Sequence, residues 1–222
     1  MLAQLLRWIG KTYIPDDRIP SSLVLIVTSQ RILSLLRGLI RVRSKVFIGR
    51  HVTLRGGWRI RFANYVTIED GCRIDGYSET DVTIGTFSKI GAWSVVSCTS
   101  HFSKFGKGLK IGNNSGFGEY CYFGAAGGID IGSDVIAGQY VSFHSENHNF
   151  SAGGQKIREQ GVVQAPIKIG NDVWIGAKAT FLAGSEIGDH SVVAAGAVVT
   201  DRFGPNSLIA GVPARLIRKI GE

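Results

Sequence analysis

The chain has 222 residues, 30 glycines, three cysteines and a formal net charge of +8. That length suits one domain with a sizeable core, and glycine without a three-residue period excludes collagen. Cys72, Cys98 and Cys121 are odd in number and lack CxxC spacing, which argues against a disulfide framework and a zinc site and favours buried thiols in a reducing compartment.

The charge is concentrated at the amino terminus. Residues 1–45 hold eight Lys and Arg against Asp16 and Asp17, so most of the excess lies there. This basic amphipathic segment reads as two helices. The first, about residues 2–12, places Leu2, Leu5, Leu6 and Ile9 on one side. Pro15 and Pro20 break it. Ser21 and Ser22 can cap a second helix running to about Arg41. In that helix Gln30, Ser34, Arg37, Gly38 and Arg41 make one polar stripe, and Leu25, Ile32, Leu33, Leu36 and Ile40 lie away from it. Arg31 and Arg37 within the apolar stretch argue against a bilayer span, and no cleavable signal pattern is present. Two readings stay open: packing on the body of the protein or on a partner subunit, and attachment to an anionic membrane surface. No aromatic-and-basic reading surface accompanies the charge, so nucleic acid is not an expected partner. The expected location is the cytoplasm, with the inner face of the membrane as the site of any peripheral attachment.

From Val46 onward the apolar residues recur every six positions. Ile48, Leu54, Ile60, Ile68, Ile74, Ile84, Ile90, Val96, Ile111, Phe117, Phe123, Ile131, Ala137 and Phe143 follow this phase, with slips between groups. The repeat is cleanest from Ile167 to Thr200, through Ile169, Ile175, Phe181, Ile187, Val193 and Val199. Eight of the isoleucine marks are followed by Gly. A period of six belongs to neither a helix nor a simple alternating strand; it marks a parallel β-helix of hexapeptides. Each unit is a short strand and a turn, and stacked coils bury one continuous aliphatic ladder. Three sides per turn give a coil of eighteen residues, the distance from Ile169 to Ile187. The predicted fold class is an all-β solenoid, with helical residues 1–45, a hexapeptide β-helix over 46–204 and a short tail over 205–222.

Polar excursions interrupt the phase at residues 77–81 and 99–108. The longest runs over 144–166, HSENHNFSAGGQKIREQGVVQAP. Long loops inside compact repeats are usually functional.

The loop HSENHNF, followed by APIKIGNDVWIGAKATFLAGSEIGDHSVVAAGAVVT and IAGVPARLIRKI, resembles the hexapeptide-repeat acetyltransferases, in particular the maltose and galactoside type and the polysaccharide O-acetyltransferases. The likeness covers about residues 111–220. It implies a left-handed β-helix, a homotrimer, acetyl-CoA as donor and sites at the clefts between subunits. An alcohol needs a base as it attacks a thioester, and histidine has its pKa nearest the working pH. The resemblance places that base at His148; His144 is the next candidate, and Glu146 could orient the imidazole. His101 lies in the second excursion, which could border a cleft, and His51 and His190 sit in ordinary turns. No acyl-enzyme is required when both substrates are bound together.

By the same resemblance, Ala177 and Ala195 let the pantetheine arm approach the backbone, and Trp174 lies beside it. Thr200, Arg215 and Arg218 match positions near the phosphates and adenine, where the planar arginine fork suits phosphate. Arg158 and Gln160 are candidate acceptor contacts. Two positions depart from the family. Asp201 stands where a Lys is common, and Tyr122, Phe123 and Gly124 occupy the neighbourhood of an expected Asn, so the donor for the oxyanion is unassigned. The sugar-specific amino-terminal region of the maltose type is replaced by the basic helices. The expected activity is acetyl-CoA-dependent O-acetylation of a sugar hydroxyl, on a cell-surface glycan or its lipid-linked precursor. The alternatives are an amino-sugar N-acetyltransferase, a metal-dependent β-helix hydratase and a silent scaffold. A hydratase needs a third ligand beyond His144 and His148, and no metal is expected.

Overall fold

A computed structural model describes residue 16 and residues 18–102 and 104–221. The expected first helix, with Leu2, Leu5, Leu6 and Ile9, lies outside the described residues. From Phe47 the chain winds through three sheets of nine, seven and seven strands, visited in turn on every coil. Strands within each sheet pair in parallel, except for the final hairpin. The result is a triangular prism of stacked coils.

The six-residue phase maps onto the interior. Ile48, Ile68, Ile90, Phe117, Ile175 and Val193 stack inward from the first sheet, and Ile74, Val96, Phe123, Phe143, Phe181 and Val199 from the second. Of the marks read from sequence, only Leu54 is partly exposed rather than buried. Where glycine follows a mark it lets neighbouring coils approach: a Cβ on Gly132 would lie 2.6 Å from the Gly170 carbonyl oxygen. The three cysteines are free and buried.

The uniform eighteen-residue coil is not what the chain builds. Successive first-sheet strands are offset by 20, 22, 27, 20, 38, 18 and 16 residues. The reason is local to one edge of the prism. Corners from first to second sheet, and from third to first, take four residues in all but the last case. The third residue of every such corner has φ between 52° and 72°. Left-handed backbone is disfavoured for bulky side chains, and stacked rings accompany several of these positions: Tyr65 on Phe87 at 5.2 Å and Tyr120 on Tyr140 at 5.1 Å. The edge between second and third sheets carries the length variation, and the segments 76–81, 98–108 and 145–166 all leave there.

Helix α1 (Ser21–Arg41) closes the amino-terminal end of the prism. Pro20 occupies its N-cap position with no side-chain cap, so Ser21 and Ser22 lie inside the helix instead of capping it. Its orientation is set by polar and small residues. Arg37 Nε donates to the Ile48 carbonyl at 2.7 Å, and Arg41 Nη2 to the Val52 carbonyl at 2.9 Å. Gly38 is buried against Val46, where a Cβ would lie 1.8 Å from the carbonyl oxygen. Arg31 lies over the Phe47 ring at 3.7 Å. The aliphatic face therefore points outward: Leu25 is 71% and Ile40 78% exposed, with Ile32, Leu33 and Leu36 also exposed. By length and apolarity the helix could cross a membrane, but its basic stripe is bonded to the first coil.

The tail is part of the fold. Ser207–Gly211 continues the first sheet in parallel, and Ala214–Lys219 folds back on it as an antiparallel last strand.

Candidate active site

The site begins where the second sheet ends. Strand Ser142–His144 lies between Tyr122–Gly124 and Thr180–Leu182. Its alternation sends Phe143 into the core and leaves Ser142 and His144 outside. Ser145 is fully buried and anchors the exit from the prism. Its hydroxyl donates to the Gly124 carbonyl at 2.7 Å and accepts from the Gly127 N–H at 2.8 Å. Beyond it, Glu146–His148 pairs antiparallel with Val162–Gln164, so the longest excursion is a β-hairpin arm.

The arm is held at both ends. At its base, Glu146 Oε1 accepts from Ser100 Oγ and Oε2 from Gln164 Nε2, both at 2.8 Å. At its tip, Gln160 Nε2 donates to the carbonyls of Ala152 and Gln155, and Gln160 Oε1 accepts from the Ala152 N–H. Gln160 thus closes the loop on itself. Arg158 stands exposed on the short 3-10 turn Ile157–Glu159.

His148 is exposed on the arm, opposite Val162. The carboxylate of Glu146 is directed to Ser100 and Gln164, so it fixes the strand that carries His148. His144 is half-buried, its ring 5.3 Å from that of Tyr122. Burial lowers its pKa and favours the neutral imidazole. His51 and His190 occupy left-handed corners, and His190 Nδ1 lies 2.6 Å from Asp172 Oδ2.

The residues expected to hold the donor gather on the carboxy-terminal coils. Trp174 faces outward from the first sheet and is 59% exposed, between Ile136 and Val192. Ala177 and Ala195 lie on the edge between first and second sheets. Backbones crowd there: a Cβ on Gly176 would lie 2.3 Å from the Ala195 nitrogen. Thr200 follows the last strand of the second sheet. Its hydroxyl donates to Asp201 Oδ2 at 3.0 Å, and Arg215 Nη1 reaches the same oxygen at 3.4 Å. Asp201, the departure noted in the sequence, ties the two together. Arg218 lies on the last strand and donates to the Lys219 carbonyl. The structure groups the donor candidates with one another and the arm residues with one another. Within one chain the second-sheet face, three strand residues or about 10 Å wide, separates Ala177 and Ala195 from the edge that the arm leaves, whereas Thr200 lies on that same edge, one coil beyond Leu182 in the column of His144.

Ser100, Ser145 and Gln164 are positioning residues that the sequence did not single out. Ser100 and Gln164 lie within segments marked as excursions, but nothing in their spacing indicated the clamp. Among the described residues no group of three His, Cys, Asp or Glu could hold a metal ion.

The bacterial transferase hexapeptide model, of six repeats, matches residues 166–201. Over 141 residues the chain is 33% identical to the galactoside O-acetyltransferase of Escherichia coli K12, covering 61% of this chain and 66% of that one. The chain belongs to the hexapeptide-repeat transferases. Its fold is the left-handed parallel β-helix of that family. The bifunctional protein GlmU of Streptococcus uberis is 32% identical over 69% of this chain and 29% of its own length. The chain therefore spans at most 66% of these two curated relatives. Among solved structures, a mutant of AntD, an N-acyltransferase from Bacillus cereus, in complex with dTDP and coenzyme A, superposes with a TM-score of 0.57. It is 20% identical, over 78% of this chain and 85% of that one, and shares the fold.

Proposed function

We propose that this hexapeptide-repeat transferase moves the acetyl group of acetyl-CoA to a sugar hydroxyl, with His148 as general base. The observation that carries the reading is the exposed imidazole of His148 on an arm clamped by Glu146. The base takes the hydroxyl proton as oxygen attacks the thioester carbonyl. Collapse of the intermediate breaks the carbon–sulfur bond, and the departing thiolate recovers the proton from His148. Trp174, Ala177, Ala195, Thr200, Arg215 and Arg218 would line the donor's path, the arginines meeting its phosphates. The similarity to a galactoside O-acetyltransferase supports a sugar hydroxyl as acceptor.

The face that separates Ala177 and Ala195 from the arm within one chain supports a homotrimer, in which one copy's arm meets the donor edge of its neighbour. The outward aliphatic face of α1, with exposed Arg43 and Lys45 at its end, suits an anionic membrane surface. That placement favours a cytoplasmic enzyme on the inner membrane face, acting on a cell-surface glycan or its lipid-linked precursor. Flotation of the full chain with anionic vesicles tests it. The Leu25→Asp/Ile40→Asp variant should lose flotation; equal flotation would remove the membrane from the account.

Transfer is tested by thiol release from acetyl-CoA with paired sugar acceptors bearing a hydroxyl or an amine at the same position. Release with the hydroxyl acceptor is expected. Release with the amine alone would contradict O-acetylation.

A further inference from the structure

The edge that carries the arm also carries a row of exposed rings. Trp58, Tyr77, Phe102 and Phe105 stand on the excursions of the first three coils, and Phe102 is fully exposed. Trp58 meets Tyr77 edge-on at 5.4 Å. Tyr77, Phe102 and Phe105 line a cleft of about 310 Å³ with Asp75 and Thr99. Asp75 Oδ1 accepts from the Tyr77 N–H at 2.8 Å. Solvent-facing rings in a row, beside a carboxylate and hydroxyls, match no need of the core.

This cleft lies on the same edge of the prism as the candidate site. The second sheet aligns Ser97, Gly124 and His144 in register, and Asp75 is one residue on from the Ile74–Val96 pair. The column thus runs from Asp75 to His144 in three steps of about 4.8 Å. Its middle residues are a serine and a glycine, and the Tyr122 ring lies against that glycine and beside His144, so an aromatic ring paves the floor next to the candidate site. The excursion bearing Phe102 and Phe105 is joined to the arm by Ser100 and Glu146.

We infer that this trough binds an acceptor glycan of several sugar units along the prism edge, with the reacting hydroxyl at the His148 end. The inference rests on the proposed acetyl transfer and names its acceptor class. Pyranose rings present C–H faces that pack on aromatic rings, and rim hydroxyls that bond to carboxylates and to Ser or Thr. A linear chain fits a trough several coils long; a single sugar reaches only its end.

The test compares monosaccharide glycosides with hexasaccharides of glucose, galactose and N-acetylglucosamine, using the full-length protein and its Phe102→Ala and Asp75→Asn variants. For at least one series the hexasaccharide should be preferred. Each variant should lower kcat/KM on it roughly three- to tenfold, through KM, with the monosaccharide unchanged. Equal effects at both lengths, or no length preference in any series, would overturn the inference. So would dissociation of the oligomer in Phe102→Ala, which would make the rings a subunit contact. If the wild type acetylates none of these sugars, the parent reading fails, and equilibrium dialysis decides the trough separately. Hexasaccharide binding weakened by Phe102→Ala supports it, and absence of binding overturns it.

Discussion

Ser100 donates a 2.8 Å hydrogen bond to Glu146, a residue 46 positions away in sequence. The bond fastens the arm carrying His148 to an excursion two coils earlier. With Gln164 on the other carboxylate oxygen, the arm's first strand is fixed before any substrate arrives. Preorganisation of this kind keeps a base within reach of its proton.

Loss of that clamp should be felt in turnover more than in folding. Glu146→Ala should lower kcat roughly tenfold while thermal stability changes little, because the clamp lies outside the core. Ser100→Ala should reproduce part of the effect. If Glu146 acts only through position, the pH profile of kcat/KM keeps its wild-type inflections in both variants. A displaced inflection would instead mean direct contact between Glu146 and the base.

The seat of α1 depends on Gly38. A methyl group there would meet the Val46 carbonyl oxygen. Gly38→Ala should cost about 1–3 kcal/mol, as overpacking does. The loss should show as faster amide hydrogen exchange over residues 21–41, with the later coils unchanged. Unaltered exchange would contradict the docking geometry.

The thiols should be silent in the native protein. Burial pushes Cys72 and Cys121 up to about 11 and Cys98 up to about 12. The thiolate is the reactive form, so at pH 8 none should react with a disulfide reagent until the prism opens. Three thiols should then appear together in urea. A fast-reacting thiol in native buffer would contradict the burial.

His144 should make stability depend on pH. Burial lowers its folded pKa below the unfolded value of 6.5. The unfolded chain therefore binds more protons below that pH, and stability falls as pH falls through it. The urea midpoint should drop between pH 7.5 and pH 5.5, and His144→Gln should flatten the slope. An identical slope in the variant would assign the dependence elsewhere.

Much of the fold was legible because interior positions recur at a fixed interval. Ile175, Phe181 and Val193 stood on that phase and lie fully buried. Coil length was not legible beyond the clean segment, since polar excursions such as 98–108 carry no phase. That they all leave one edge is a property of stacking. The faces of α1 could be drawn from sequence, but not which one meets the prism. Backbone carbonyls of Ile48 and Val52 decided that by accepting from Arg37 and Arg41. The three candidate residues 144, 146 and 148 were visible as a polar run where the repeat breaks. Their clamp was not, because Ser100 reaches Glu146 only through the fold.

The central claim is that the imidazole of His148 removes the hydroxyl proton. The direct test is single-turnover acetyl transfer from acetyl-CoA to a sugar acceptor, wild type against His148→Ala, with donor binding measured in both. The variant should bind acetyl-CoA normally and transfer roughly a hundredfold more slowly or worse. Transfer at the wild-type rate would contradict it.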